Sequence, residues 1–290
     1  MIPDEVFSVA LPISLFFIMI GVGVTVAPKE FGHVAANPKG VFVGLISQAL
    51  LMPLFGLSVA ILLGLKAELA VGLVLIASCP GGAASNIFVL FAKGNLALSI
   101  LLTILTSLTT ILSLPFFVNL SLEITLNESS DIFLPIDKTI YSIFLVVLLP
   151  VVLGMFLKKY FPLFADKLEK SLGALGGVVL IGFIVLLVLD TWDQISVIFS
   201  LAGLAVILVT VVSILGGILL CRIFSLSQRE SLSIALELTI KNGAIALMVA
   251  LSILDNKEIA LPTIVYSVTM FVFGTILVKF GRAQIRNPKV

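Results

Sequence analysis

The stretch 69–91, LAVGLVLIASCPGGAASNIFVLF, decides the fold. It is apolar almost throughout and long enough to cross about 30 Å of hydrocarbon as a helix. Yet Pro80-Gly81-Gly82 falls at its middle. Proline removes a backbone donor and glycine relaxes the helix, so carbonyls upstream and amides downstream lose their intrahelical partners. In lipid such groups are tolerated only where protein or a lined cavity supplies new ones. The stretch therefore reads as a membrane span broken at mid-depth, followed by small and polar residues Ala83, Ala84, Ser85 and Asn86.

The rest of the chain agrees with a membrane setting. Of its 290 residues 60% are hydrophobic and only 11% charged, where a soluble domain carries about 25%. Mean hydropathy is +1.28. Too few hydrophilic side chains remain to coat a soluble globule, so the expected class is an all-α, polytopic membrane protein. Apolar segments stand near 6–27, 41–63, 69–91, 96–118, 139–157, 171–189, 195–221, 230–253 and 261–279, which predicts nine transmembrane helices. The first follows Asp4 and Glu5 and lacks a basic leader, so it is expected to be a real span. The loop 119–138 is expected along the interface; it holds Asn-x-Ser triplets at Asn119 and Asn127. Net charge is +1 with no long basic run, which predicts lipid and not nucleic acid as partner. Cys79 and Cys221 match no metal or disulfide spacing.

Charge sets the orientation. With the N-terminus outside, the loops at 28–40, 92–95, 158–170, 222–229 and 280–290 hold most of the 17 Lys and Arg, among them Lys29, Lys93, Lys158, Arg222, Arg282 and Lys289. The opposite loops hold Lys66, Lys138 and Lys257 beside many acids. A multi-pass protein of the cell membrane, N-terminus outside and C-terminus cytoplasmic, is the expectation.

A second interruption, Lys241-Asn242-Gly243, lies in the eighth segment. The third and eighth spans run in opposite directions, so spans 1–4 and 6–9 read as an inverted repeat with two crossed discontinuous helices. That arrangement points to a transporter site at the midplane, where half-helix carbonyl ends attract a cation and amide ends an anion. Oxygen ligands cluster accordingly. Ser99, Thr103, Thr106 and Thr110 share one helical face, and Ser85, Asn86 and the intramembrane Glu237 join them. A mid-membrane carboxylate is expensive unless paired, protonated or holding a cation. Neutral oxygens with one carboxylate suit an alkali ion better than zinc or copper and leave a proton open.

The strings Cys79-Pro80-Gly81-Gly82-Ala83-Ala84-Ser85-Asn86 and Ala92-Lys93-Gly94-Asn95-Leu96-Ala97-Leu98-Ser99, with Thr103 and later Glu237 through Gly243, resemble the bile acid:sodium symporter family. The resemblance implies one transporter unit: a core domain of approximately 41–118 and 195–280, and a panel domain of approximately 6–27 and 139–189 that rocks against it. The chain resembles the nine-span form without the family's first helix. It also implies sodium ligands Ser85, Asn86, Ser99, Thr103 and Glu237. Of the second sodium site Gln48 matches, whereas Lys241 stands where a glutamine is expected. An ammonium group cannot coordinate sodium. One bound sodium per cycle is therefore expected, with Lys241 replacing the second. Ala83, Ala84, Asn242 and Gly243 are the expected cargo-binding residues, suited to a carboxylate at helix N-termini. The run Val268-Thr269-Met270-Phe271-Val272-Phe273 offers few donors for a bile acid, which favours smaller anions.

The function expected is sodium-coupled symport of a small organic anion by alternating access, with sodium as coupling ion and no other cofactor. The alternative is a cation/proton antiporter using Glu237 and Lys241 without organic cargo; an ordinary i,i+4 helix pair is the plain reading of the same two residues. An enzyme is not expected, because the sole histidine, His33, lies in a predicted loop without a partner for catalysis. Pro53, Pro115 and Pro150 are expected to kink helices, and Trp192 to anchor a span end.

Overall fold

A computed structural model describes residues 9–25, 38–125, 133–190 and 201–286. Residues 6–8, 26–27 and 195–200 of the expected spans, and the readings on Lys29, His33, Asn127, Trp192 and Lys289, lie outside the described residues. Among those described the chain is helical, with no strand. Helix α1 is Leu11–Thr25, α2 Pro38–Leu62, α3 Ala67–Ser78, α4 Ala83–Ala92 and α5 Leu96–Thr125. Helix α6 is Ile136–Tyr160, α7 Pro162–Asp190 and α8 Gly203–Ile223. Helix α9 is Gln228–Thr239, α10 Gly243–Ile253 and α11 Lys257–Arg286.

Among the described residues five helices are long and apolar enough to cross a membrane: α2, α5, α6, α8 and α11 as far as Ala283. The shorter apolar helices include α3 with α4, and α10, which are halves of interrupted spans. Their surfaces carry Leu, Ile and Phe outward, as on Leu112, Phe116 and Leu215, each at least 61% exposed. In water such a surface would aggregate; in lipid it is the solvated face.

Sequence punctuation explains the local form. Ser227 caps α9: Glu230 N donates to Ser227 Oγ while Ser227 N donates to Glu230 Oε2 at 2.8 Å, a capping box. Pro53 and Pro150 cannot donate backward, and the chain accommodates each with a π-helical turn just upstream, Ser47–Leu51 and Phe144–Leu148. Pro115 sits inside α5, which continues unbroken on both sides of it.

The stretch expected as interfacial loop is different. Helix α5 runs on through Thr125, and Asn119 is helical. Its side chain both donates to Leu134 O and accepts from Leu134 N, each at 3.0 Å, tying the start of α6 to α5. With both amide atoms so engaged, Asn119 serves as a clamp between α5 and the segment leading into α6.

Helices α1, α6 and α7 pack on one another, while α3 packs on α2, α5 and α11, and α8 on α9 and α11. Within the second group and the adjoining α10, Val71, Leu73, Leu75, Leu236, Ile245 and Val249 are completely enclosed.

Candidate functional site

The two breaks meet. Helix α3 ends at Ser78, the backbone is extended at Cys79, and α4 begins at Ala83. Helix α9 ends at Thr239 and α10 begins at Gly243, with Asn242 as its N-cap accepting weakly from Ile245 N at 3.4 Å. Gly82 N donates to Ile240 O and Asn242 N to Pro80 O, both at 2.9 Å. Each break thus supplies partners for amide and carbonyl groups that the other left without a helix, which is how a dry interior tolerates both. The fit is tight. A β-carbon on Gly81 would overlap the Glu237 carboxylate, and one on Gly82 would stand 3.0 Å from Lys241 O.

Glu237 lies at the junction, 1% exposed, in the last turn of α9. Its Oε2 accepts from Ser85 Oγ at 2.6 Å and Ser99 Oγ at 3.1 Å, and its Oε1 from Thr103 Oγ1 at 2.7 Å. The donors come from α4 and α5, so three helices converge on one carboxylate. Asn86, next to Ser85 in the first turn of α4, keeps a buried Oδ1 with no hydrogen-bond partner. A buried amide oxygen left bare is costly and asks for an electropositive partner. Three hydroxyls on one carboxylate, with a bare amide oxygen at the next residue of α4, are oxygen donors of the kind that suits a hard cation.

Thr106 and Thr110 continue the same face of α5, both buried. Thr106 donates to Thr103 O at 3.3 Å and Thr110 to Ser78 O at 3.4 Å, so these two bond backbone and stay out of the cluster around Glu237.

Lys241 and Glu237 do not behave as an i,i+4 pair. The helix ends between them, and they form no ion pair. Lys241 instead extends to Gln48: its Nζ donates to Gln48 Oε1. Gln48 is held in the π-helical turn of α2, and its Nε2 donates to Ala77 O at 3.2 Å and Cys79 O at 2.8 Å. Two carbonyls as acceptors fix the amide so that Oε1 must face the lysine. The ammonium thereby stands near the carbonyl end of α3, where the helix dipole favours positive charge.

Ala83 and Ala84 open α4, and Asn242 and Gly243 open α10, so the four expected cargo-binding residues lie at two half-helix N-termini. The backbone pairing of the breaks brings the two starts together.

Tyr266, fully buried on α11, also acts here. Its Oη donates to Thr239 O at 3.0 Å, satisfying the carbonyl end of α9 immediately before the break. No sequence signal marks it, since an aromatic residue in an apolar span reads as core; a phenol deep in such a span needing an acceptor is the one hint available. The turn between α4 and α5 is likewise pinned: Lys93 is left-handed at φ 60°, and Asn95 N donates to Ser233 Oγ on α9 at 2.7 Å.

Comparison with known proteins points the same way. The family model described as the sodium bile acid symporter family matches residues 12–198. The chain is 32% identical over 276 residues to the probable sodium/metabolite cotransporter BASS2, chloroplastic, of Oryza sativa subsp. japonica, covering 93% of this chain and 63% of that one. The chain thus spans less than two thirds of the rice relative's length. It is 28% identical over 282 residues to the sodium-dependent transporter YocS of Bacillus subtilis, covering 96% of this chain and 85% of the other. To the human ileal sodium/bile acid cotransporter it is 28% identical over 289 residues, covering 95% and 79%. These relatives are named as transporters and not as enzymes. The apolar helices and the match over residues 12–198 lead to one assignment: the chain belongs to the sodium bile acid symporter family and is a multi-pass membrane protein.

Proposed function

We propose that the chain is a secondary active symporter in which one sodium ion drives import of a small organic anion by alternating access. The observation that carries this reading is the bare Asn86 Oδ1 in the turn that also sends Ser85 to Glu237. Sodium takes Asn86 Oδ1, the hydroxyl oxygens of Ser85, Ser99 and Thr103, and Glu237 as ligands, the hydroxyls rotating their protons away. A carboxylate at mid-membrane costs about 2.5–3.5 kcal/mol on insertion scales, and each hydrogen bond to a charged group returns about 1.5–3 kcal/mol. Three hydroxyl donors therefore keep Glu237 tolerable without the ion, so that sodium can arrive and leave.

Lys241 serves as a resident cation in place of a second sodium, held by Gln48. The exchange alternative, a cation/proton antiporter, uses Glu237 and Lys241, whose side chains take separate hydrogen-bond partners, and counterflow of a labelled anion distinguishes it from symport. Cargo binds at Ala83, Ala84, Asn242 and Gly243 through first-turn amides, which attract a carboxylate. The packing of α1, α6 and α7 on one another is what supports a panel domain distinct from a core of α2–α5 and α8–α11. Nine spans, an inverted repeat, an outside N-terminus and the cell membrane complete the proposal.

Thermal unfolding of the purified protein in NaCl against choline chloride, screened over small carboxylates and sulfonates, tests it. Sodium-dependent stabilisation by at least one acid is expected. Stabilisation by neither sodium nor any acid would remove the basis for symport.

A further inference from the structure

The cargo seat has a wall that no motif marks. Asn242 uses its Oδ1 to cap α10, which leaves Nδ2 as the free donor of the side chain. The partner of that Nδ2 is Met19 Sδ at 3.9 Å, a thioether reaching across from α1. Sulfur is a weak acceptor, so the donor is poorly used. A carboxylate oxygen there would form a charge-assisted bond about twice as strong as a neutral one.

Met19 is 3% exposed and lies on the buried stripe Leu11, Leu15, Met19 and Val22 of α1. That stripe is wholly apolar, so it offers a cargo body no hydrogen bond. One turn further on, α1 is fixed to α6 by backbone contact. A β-carbon on Gly23 would overlap the Val151 carbonyl, and one on Gly154 the Ile20 carbonyl. The backbone at Met19 is therefore tied to the α1–α6 pair.

We infer that Met19 is the selectivity residue of the cargo seat: its thioether holds the place at Asn242 Nδ2 that a cargo carboxylate takes, and its bulk admits only short organic acids. This rests on the symport reading above. The cargo then carries a carboxylate for Asn242 and a short apolar body against α1. Binding displaces the Met19 thioether from Asn242 Nδ2.

Thermal unfolding is measured for the native chain, Met19→Ala and Met19→Leu, each in NaCl and in choline chloride, with pyruvate as the short acid and taurocholate as the bulky one. The shift from NaCl alone is expected to be the same in all three, because the hydrogen-bond partners of Glu237 are Ser85, Ser99 and Thr103 and Met19 is not among them. In NaCl the native chain responds to pyruvate and not to taurocholate. Met19→Ala half-saturates at a pyruvate concentration lower by roughly threefold or more, and gains a taurocholate response. Met19→Leu, which keeps the bulk, keeps the size limit. Should Met19→Ala fail to fold, Met19→Val carries the same expectation. The inference is overturned if the truncated and native proteins share one pyruvate midpoint and one size range, if the native chain already takes taurocholate, or if sodium stabilises all and neither acid does. Absence of any sodium shift in the native chain instead sinks the symport reading itself.

Discussion

Ser85 and Glu237, 152 residues apart in the chain, are joined by a 2.6 Å hydrogen bond. The bond spans the two breaks and is buried from solvent, so each interrupted span holds the other's functional group. On the symport proposal, ion binding and the geometry of the breaks therefore respond together.

Glu237→Gln keeps the shape and removes the charge. At a sodium concentration about 100-fold above its dissociation constant, the native chain gains roughly 2.7 kcal/mol of stability. The variant is expected to unfold at the same temperature in NaCl and choline chloride.

Asn86→Ala removes an oxygen with no partner to lose. The expected result is a sodium midpoint raised by about tenfold, equivalent to about 1.4 kcal/mol, with the unfolding temperature in choline chloride nearly unchanged. An ordinary buried asparagine would show the reverse: lost stability and an unmoved midpoint.

Gly81→Ala places a methyl on the Glu237 carboxylate. The carboxylate must leave its place among three hydroxyls, or the backbone of the break must give, at a cost of about 1–3 kcal/mol. Sodium-free stability is expected to fall, and more than for Gly82→Ala, whose methyl has 3.0 Å to the nearest oxygen.

Lys241→Gln exchanges an ammonium for an amide oxygen beside Gln48. The Hill coefficient for sodium in the thermal-shift titration is expected to rise from near one toward two. A native coefficient already near two would show that Lys241 does not stand in for an ion.

Tyr266→Phe deletes the donor to Thr239 O. A buried carbonyl left bare costs about 1–3 kcal/mol. The loss should appear in choline chloride as well as NaCl, because the tyrosine braces the end of α9 and does not touch the cation.

What could be read from the sequence was set by polarity against an apolar background. Ser85, Ser99, Thr103 and Glu237 stand out in runs of leucine and isoleucine, and Pro80-Gly81-Gly82 announces a break by removing a donor. Helical spacing puts Ser99 and Thr103 on one face; their meeting with Ser85 and Glu237 was implied by the family resemblance. The Lys241 pairing was not legible, because a four-residue spacing implies one helix face only while the helix continues, and here it stops at Thr239. Gln48 was marked by resemblance alone; the π-helical turn that aims it depends on Pro53 five residues later, a connection visible only in three dimensions. Met19 and Tyr266 looked like core because an apolar span hides which member touches a break. The end of α5 was misread since alternating polar and apolar residues over 119–125 resemble an interfacial segment, whereas the Asn119–Leu134 clamp keeps the helix going.

Equilibrium binding of radioactive sodium to the purified chain and to Glu237→Gln tests the central claim most directly. The account predicts one saturable sodium per native chain and none in the variant. Equal sodium binding by both proteins, or none by the native chain, would contradict it.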